Sequence, residues 1–176
     1  LDTGILMNHV EFCDDSKSNE TTNCDDLDAS KSNLVHPKGF PSDEETFSST
    51  LTKIDNEDYE DTDNIPLDID GHGTKVSGVI AAQLNTEVED GSGNSFGIVG
   101  AAYGASIMPL KVMYSYYHTI KKKNVTRGYT DSIVKAINYA VLNNADIINM
   151  SLGGVLDQES DFVMETAVNA AVAAGT

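Results

Sequence analysis

The sequence contains no tryptophan, only two cysteines and only four prolines, and basic residues are few. No run of apolar residues is long enough to cross a bilayer, so no membrane-spanning helix is expected within these residues. The 11 Lys and Arg residues are outnumbered by 28 Asp and Glu residues, which gives a formal net charge of −17 at pH 7. This excess of negative charge argues against binding to nucleic acid or anionic lipid through bulk charge.

The two cysteines, Cys13 and Cys24, lie close together in one acidic segment. A disulfide of this span would close a surface loop well, but two cysteines alone are weak evidence for an oxidising compartment. Neither cysteine stands beside a histidine at metal-ligand spacing, so a zinc site is not expected. The sequence leaves open whether the pair is bridged.

The negative charge is concentrated in residues 11–70, which contain 18 Asp and Glu against 4 Lys, a net charge of −14. From about residue 13 to residue 64 the sequence is polar and shows no sustained period of 2 or 3.6 residues. We interpret this stretch as an irregular acidic loop insertion. It is either a solvated surface loop or a loop that binds a cation or a partner.

Apolar spacing predicts three helices after the acidic segment. The first runs from His72 to about Leu84, the second begins at a cap on Thr130 or Asp131, and the third runs from a cap on Ser160 to a stop at Gly175. The residues expected to be buried are Ile133, Ala136, Ile137, Ala140 and Val141 in the second helix, and Val163, Ala167, Ala170, Ala171 and Ala174 in the third.

Two short apolar stretches, 106–112 and 145–150, are predicted to be strands, although Pro109 removes a ladder donor from the first. Strands and helices that alternate with short connections form parallel βαβ units. We therefore expect one α/β domain with three layers, α/β/α, around a mostly parallel sheet. The active site of such a fold lies beyond the carboxyl ends of the strands, where Asp2 and residues 151–154 would both lie.

Three short motifs carry residues suited to catalysis. In chain order they are Leu1-Asp2-Thr3-Gly4, Asp70-Gly71-His72-Gly73-Thr74-Lys75-Val76-Ser77-Gly78 and Asn149-Met150-Ser151-Leu152-Gly153-Gly154. Together they resemble the subtilase family of serine proteases, whose triad runs Asp, His, Ser along the chain. The resemblance implies a serine-type endopeptidase. It also implies that residues 1–176 are the N-terminal part of one subtilase catalytic domain, with a subtilisin-like fold that is incomplete.

The resemblance assigns His72 as the general base and Asp2 as the carboxylate that orients it. A histidine in the first turn of a helix is held rigidly, although a lone histidine is more often structural. Asp2-Thr3-Gly4 by itself also fits an aspartic protease. That chemistry needs a second aspartate of the same kind, and no second Asp-Thr-Gly occurs in the sequence.

The resemblance further implies that Ser151, Leu152 and Gly153 line the substrate cleft, where an extended peptide pairs with a strand edge. Gly128 is expected on the opposite side of the cleft. Each of these positions could instead belong to an ordinary turn. The tyrosines within 114–117 either border the cleft or pack in the core.

A structural calcium ion is also implied by the resemblance. Its ligands would be the carboxylate of Glu11, the side chain of Asn94 and the carbonyl groups near Phe96 and Ile98. Oxygen ligands of this kind suit a hard cation. Residues 68–71 superficially resemble the start of an EF-hand, but the later ligands are missing.

Neither a nucleophilic serine motif nor an oxyanion-hole asparagine is recognised in the sequence, and Ser151 lies in the strand-like motif instead. We expect both groups beyond Thr176, so residues 1–176 alone are expected to be inactive. The alternative from another class is a non-catalytic subtilase-like module that binds peptides or a partner. The enzyme would act on a protein or peptide substrate, and the family resemblance together with the cysteine pair implies a secreted or cell-surface location.

Overall fold

The computed structural model describes residues 1–5, 12, 34–40, 51–53, 67–83, 88–89, 95–155 and 157–176. Most of the predicted acidic insertion at about 13–64, with Cys13 and Cys24, lies outside the described residues. The helices are α1 (His72–Ala81), α2 (Thr130–Leu142) and α3 (Gln158–Ala174). The strands are β1 (Lys38–Gly39), β2 (Leu51–Lys53), β3 (Val88–Glu89), β4 (Ser95–Phe96), β5 (Leu110–Lys111), β6 (Met113–His118) and β7 (Lys123–Gly128).

Parallel pairing joins segments that are distant in the chain. β1 and β5 pair in parallel. Isolated parallel bridges join Asp2 to Lys111, Ile5 to Leu67 and Leu34 to Ile107. The backbone of Asp2 behaves like that of a strand residue, because its N–H donates to the oxygen of Leu110 (3.1 Å) and its oxygen accepts from the N–H of Val112 (2.9 Å). This is the kind of pairing that the sequence predicts for an α/β fold.

The predicted strand at 106–112 is shorter in the structure. Pro109, which has no N–H, separates the bridge at Ile107 from the two residues of β5. The predicted strand at 145–150 is wrong, since no strand is assigned to these residues. Ile147 is 85% exposed, and no described strand forms a ladder with this stretch.

An antiparallel sheet was not predicted. It has the strand order β2-β6-β7, and the hairpin β6–β7 pairs Tyr114 with Arg127. The hairpin turn, residues 119–122, has no glycine and no Asn-Gly pair, so the usual sequence signal of a hairpin is missing. Tyr114 and Tyr116 are 4% and 1% exposed and pack in the interior, whereas Tyr117 is 40% exposed.

The main apolar core lies between β1, β5 and the helices α2 and α3. Its buried residues are Phe40, Leu110, Val112, Ile133, Ala136, Ile137, Ala140, Ala167 and Ala171. The predicted buried face of α2 is confirmed, with Val141 only partly buried. For α3 two of the five predicted positions, Ala167 and Ala171, are buried, whereas Val163, Ala170 and Ala174 are exposed. α3 contacts α2 through small alanines, so only a narrow stripe of it is covered.

The helix ends show which predicted caps form. α1 begins at His72 as predicted, and Gly175 stops α3 with a left-handed backbone (φ 101°). α3 begins earlier than predicted, because the side chain of Asp157 accepts a hydrogen bond from the N–H of Ser160 at 2.7 Å. Asp157 is therefore the cap, and Ser160 is the residue that is capped. α2 has Tyr129 at its N-cap and no side-chain cap.

Helix α1 docks against the N-terminal segment through backbone. A Cβ atom placed on Gly73 would overlap the carbonyl oxygen of Gly4. Only glycine therefore allows this helix to lie so close to the segment that carries Asp2. Within the described part of the chain, no helix combines the length and the apolar character that crossing a membrane requires.

Candidate active site

The position of Asp2 is fixed by backbone pairing and by a hydrogen bond to its own side chain. It is 8% exposed and bridges Lys111 in parallel. Its Oδ1 accepts a hydrogen bond from the N–H of Thr3 at 2.7 Å. Its Oδ2 is buried and has no hydrogen-bond partner among the described residues. The carboxylate is therefore shielded from water and oriented by the backbone.

His72 is the first residue of α1, directly after Gly71, whose backbone is left-handed (φ 85°). A left-handed residue favours glycine, and here it turns the chain sharply into the helix. The side chain of His72 is 49% exposed, so its ring is open to solvent on one side. The helix thus anchors the histidine while leaving part of its ring accessible to solvent.

The structure brings Asp2 and His72 together although they are 70 residues apart in the chain. Nδ1 of His72 lies 2.6 Å from Oδ1 of Asp2. An ionised Asp2 is an acceptor only, so it holds the proton of the neutral ring on Nδ1 and leaves the lone pair on Nε2. This is the contact on which the predicted roles of both residues depend, and the catalytic roles themselves stay predictions.

The surrounding carboxylates raise the pKa of His72. The hydrogen bond to Asp2 is the main cause, partial desolvation opposes it, and the negative charges of Asp2, Asp70 and Asp68 add to the rise. The positive end of the helix dipole disfavours an imidazolium at this position. The three aspartates offset that effect and stabilise a protonated ring.

The third motif, residues 149–154, lies next to the first motif, residues 1–4. The backbone nitrogen of Leu1 donates to the backbone oxygen of Asn149 at 2.8 Å. Ser151 follows two residues later, is exposed, and accepts a hydrogen bond from the side chain of Asn149 at 3.0 Å. Leu152 packs against the main core, and a Cβ atom on Gly153 would meet open space.

The hairpin β6–β7 approaches the histidine segment from another direction. Thr126 donates a hydrogen bond from its hydroxyl to Oδ2 of Asp70 at 2.9 Å. Gly128, which ends β7, pairs with Met113 across the hairpin. The predicted cleft residues thus belong to segments that contact the Asp2 and His72 motifs, while their role in substrate binding stays a prediction.

The predicted calcium ligands are not brought together by the described residues. Glu11 and Asn94 lie outside the described part of the chain, and Phe96 is described for its backbone alone. Ile98 is 49% exposed. No group of three or more His, Cys, Asp or Glu that could hold a metal ion occurs among the residues described. Calcium binding stays a prediction of the sequence.

Sequence reasoning missed one residue of this site, Asp68. In the sequence it belongs only to a poor EF-hand match, yet its carboxylate accepts hydrogen bonds from both the Asp2 segment and the His72 segment. An aspartate shortly before the first turn of a helix is a common cap, which is the signal that could have identified it.

A model of the subtilase family matches residues 1–176. The chain belongs to the subtilase family. Subtilisin E of Bacillus subtilis (strain 168) is 38% identical over 104 residues, which cover 59% of this chain and 22% of subtilisin E. Thermitase of Thermoactinomyces vulgaris is 32% identical over 112 residues, which cover 64% of this chain and 33% of thermitase.

An extracellular protease of Xanthomonas campestris pv. campestris is 34% identical over 111 residues, covering 60% of this subtilase chain and 16% of that protein. The matched part of the chain therefore spans a third or less of each of these relatives. Membership of the family confirms the predicted subtilisin-like α/β fold and removes the aspartic protease alternative.

The raised pKa of His72 leads to a prediction about pH. Because the pKa of His72 is higher in the folded state than in the unfolded state, protonation of its ring stabilises the fold. This stabilisation is fully present below about pH 6.5 and is lost as the pH rises through the folded-state pKa. Asp2→Asn removes the main cause, so we expect the pKa of His72 to fall. NMR titration of the histidine ring protons in the full-length protein measures it.

His118 is the internal control for that titration. It lies on β6, and its pKa is lowered by partial desolvation and by the positive charges of Lys121, Arg127 and Lys123. Asp2→Asn should leave the His118 titration unchanged. An unchanged pKa for His72 in the same variant would contradict the assigned contact.

Proposed function

We propose that the protein is a serine-type endopeptidase that hydrolyses peptide bonds in protein or peptide substrates through an Asp-His-Ser triad. The 2.6 Å contact between Nδ1 of His72 and Oδ1 of Asp2 is the observation that carries the proposal. Membership of the subtilase family and the likeness to subtilisin E support it.

In this mechanism Asp2 fixes the tautomer of His72 and stabilises the imidazolium. Nε2 of His72 takes the proton of a serine hydroxyl as its oxygen attacks the scissile carbonyl carbon. The imidazolium then gives that proton to the leaving amine as the C–N bond breaks. A water molecule hydrolyses the resulting acyl-enzyme with the same histidine as base, which releases the acid and restores the serine.

The nucleophile in this proposal comes from outside these 176 residues. Asp2 is the hydrogen-bond partner described for the ring of His72, and no described serine contributes another. Ser151 already accepts from Asn149 and belongs to the proposed cleft. We therefore expect residues 1–176 alone to be inactive.

Labelling by a fluorophosphonate probe tests the proposed triad. The full-length protein should be labelled, and labelling should be much slower in both His72→Ala and Asp2→Asn. The expected losses in kcat for peptide hydrolysis are about 10⁶-fold for His72→Ala, the size known for subtilisin, and about 10⁴-fold for Asp2→Asn, the size known for a chymotrypsin-type triad. Residues 1–176 alone should stay unlabelled.

The matched control for the labelling is His118→Ala, which removes a histidine of the hairpin and should keep the wild-type rate. Labelling of His72→Ala at the wild-type rate would exclude the proposed base. A full-length protein that binds peptides but is never labelled would favour a non-catalytic subtilase-like binding module instead.

The substrate cleft in this proposal is formed by Ser151, Leu152 and Gly153 on one side and by Gly128 on the other. The first three lie in a segment that pairs with no described strand, so its backbone groups can pair with an extended peptide. Gly153 leaves open space where a substrate side chain would lie.

Substitution of Gly153 tests the cleft. Gly153→Val should raise KM by about tenfold with little change in melting temperature, because its side chain would enter open space in the protein and occupy the space of the substrate. Gly104→Val is the matched control, since a Cβ atom on Gly104 also meets nothing within 4 Å. Equal KM values for both variants would remove Gly153 from the cleft.

We further propose that the protein is secreted or displayed at the cell surface. The relative from Xanthomonas campestris is named an extracellular protease, and Cys13 and Cys24 are close enough in sequence to form a bridge there. Fractionation of the source cells should find the protein in the medium or the cell envelope. Recovery from the cytosol alone would contradict this location.

A further inference from the structure

The carboxylate of Asp68 lies between the two segments that carry Asp2 and His72. We propose that Asp68 is a positioning residue, which holds the His72 end of α1 against the Asp2 segment and thereby sets the Asp2–His72 contact. The inference rests on the function proposed above for its effect on catalysis. Its effect on the contact itself is independent of that function.

Each oxygen of Asp68 accepts two hydrogen bonds. Oδ1 accepts from the hydroxyl of Thr3 at 2.8 Å and from the N–H of Gly71 at 2.8 Å. Oδ2 accepts from the N–H of Thr74 at 2.8 Å and from its hydroxyl at 2.6 Å. Thr3 follows Asp2, while Gly71 and Thr74 lie on either side of His72.

A second link closes the network. The hydroxyl of Thr3 donates to Asp68 and also accepts from the N–H of Gly73 at 2.9 Å, a bond that is buried. Thr3, the residue after Asp2, is therefore bonded directly to Gly73, and Asp68 joins it to Gly71 and Thr74. A shift of α1 along the Asp2 segment would break several of these bonds at once.

The network requires an ionised carboxylate. Burial acts to raise the pKa of Asp68, but the hydrogen bonds from Thr74, Thr3 and Gly71 outweigh it and the pKa is lowered. A carboxylate offers about four acceptor sites, which matches the four donors present. The amide of an asparagine would place N–H donors against two of those donors, so Asp68→Asn preserves shape and disrupts the network.

Substitution of Asp70 distinguishes a positioning role of Asp68 from a purely electrostatic effect of its charge. Its negative charge also raises the pKa of His72, and by more than the charge of Asp68 does. The side-chain bond of Asp70, however, goes to Thr126 on the exposed face of the hairpin and does not join the Asp2 and His72 segments. Asp70→Asn thus removes a comparable charge and leaves the network intact.

The test compares Asp68→Asn with Asp70→Asn in the full-length protein, below the melting temperature of each variant. We expect Asp68→Asn to lower kcat by about tenfold to a hundredfold with KM nearly unchanged, because a displacement near 1 Å has an effect of that size. Asp70→Asn removes a charge that favours the imidazolium but no bond of the network, so it should lower kcat by only about twofold on the high-pH plateau, less than Asp68→Asn does.

NMR titration of His72 supplies a readout that needs no catalysis. Both variants remove a negative charge and should lower the pKa of His72. Asp68→Asn should lower it further than Asp70→Asn, because it also weakens the hydrogen bond that His72 donates to Asp2, the main cause of the rise. An equal or smaller fall in Asp68→Asn would overturn the positioning role.

Thr3 provides a second pair of variants if Asp68→Asn does not fold. Thr3→Ser keeps the hydroxyl that links Asp68 to Gly73 and should retain kcat, whereas Thr3→Val removes it and should lower kcat. Equal kcat values for the two would overturn the proposal.

The two proposals fail in different ways. A wild-type protein without fluorophosphonate labelling or peptidase activity contradicts the proposed function, and the titration then still decides the role of Asp68. A labelled wild type whose Asp68→Asn variant keeps kcat and the pKa of His72 contradicts the positioning role alone.

Discussion

The close approach of helix α1 to the N-terminal segment is the constraint on which the site depends. Asp2 and His72 are separated by 70 positions in the chain. Bringing such distant residues together costs loop-closure entropy, which must be recovered by contacts at the junction. Those contacts are the parallel pairing of Asp2 with Lys111, the backbone approach of Gly73 to Gly4, and the hydrogen bonds around Asp68. Backbone bonds fix the position of the Asp2 segment, and polar side chains fix the helix relative to it.

The negative charges near the start of α1 act both on the helix and on the protonation of His72. Negative groups near the start of a helix are favourable, whereas a protonated histidine there is not. Asp68 satisfies backbone donors at the start of α1, as a capping residue does, and its charge also favours the imidazolium of His72. Asp68 therefore stabilises the helix start and also favours protonation of the His72 ring. Because only half of the ring is exposed, these charges act on it with less screening than at an open surface.

Most features that follow from neighbouring residues in the chain were predicted correctly, whereas several that need a distant partner were not. The start of α1 at His72 and the stop of α3 at Gly175 follow from residues next to them, and both are present in the structure. The buried face of α2 follows from its period, and it too is present. The strand at 145–150 is absent because a strand needs a partner, and an apolar run does not reveal one. The hairpin β6–β7 was not predicted because its turn has no glycine and because its tyrosines are compatible with either a cleft or the core.

By itself the sequence determined the α/β class, the family resemblance and the two residues of the candidate catalytic pair, since these follow from motifs, their order and helical periodicity. It also located the negative charge between residues 11 and 70. Only the tertiary structure decided the contact between Asp2 and His72, the place of Asn149 beside Leu1, and the hydrogen bonds of Asp68. The physical reason is that these bonds join residues far apart in the chain. Their partners are selected by the packing of backbone against backbone, which local sequence patterns do not encode.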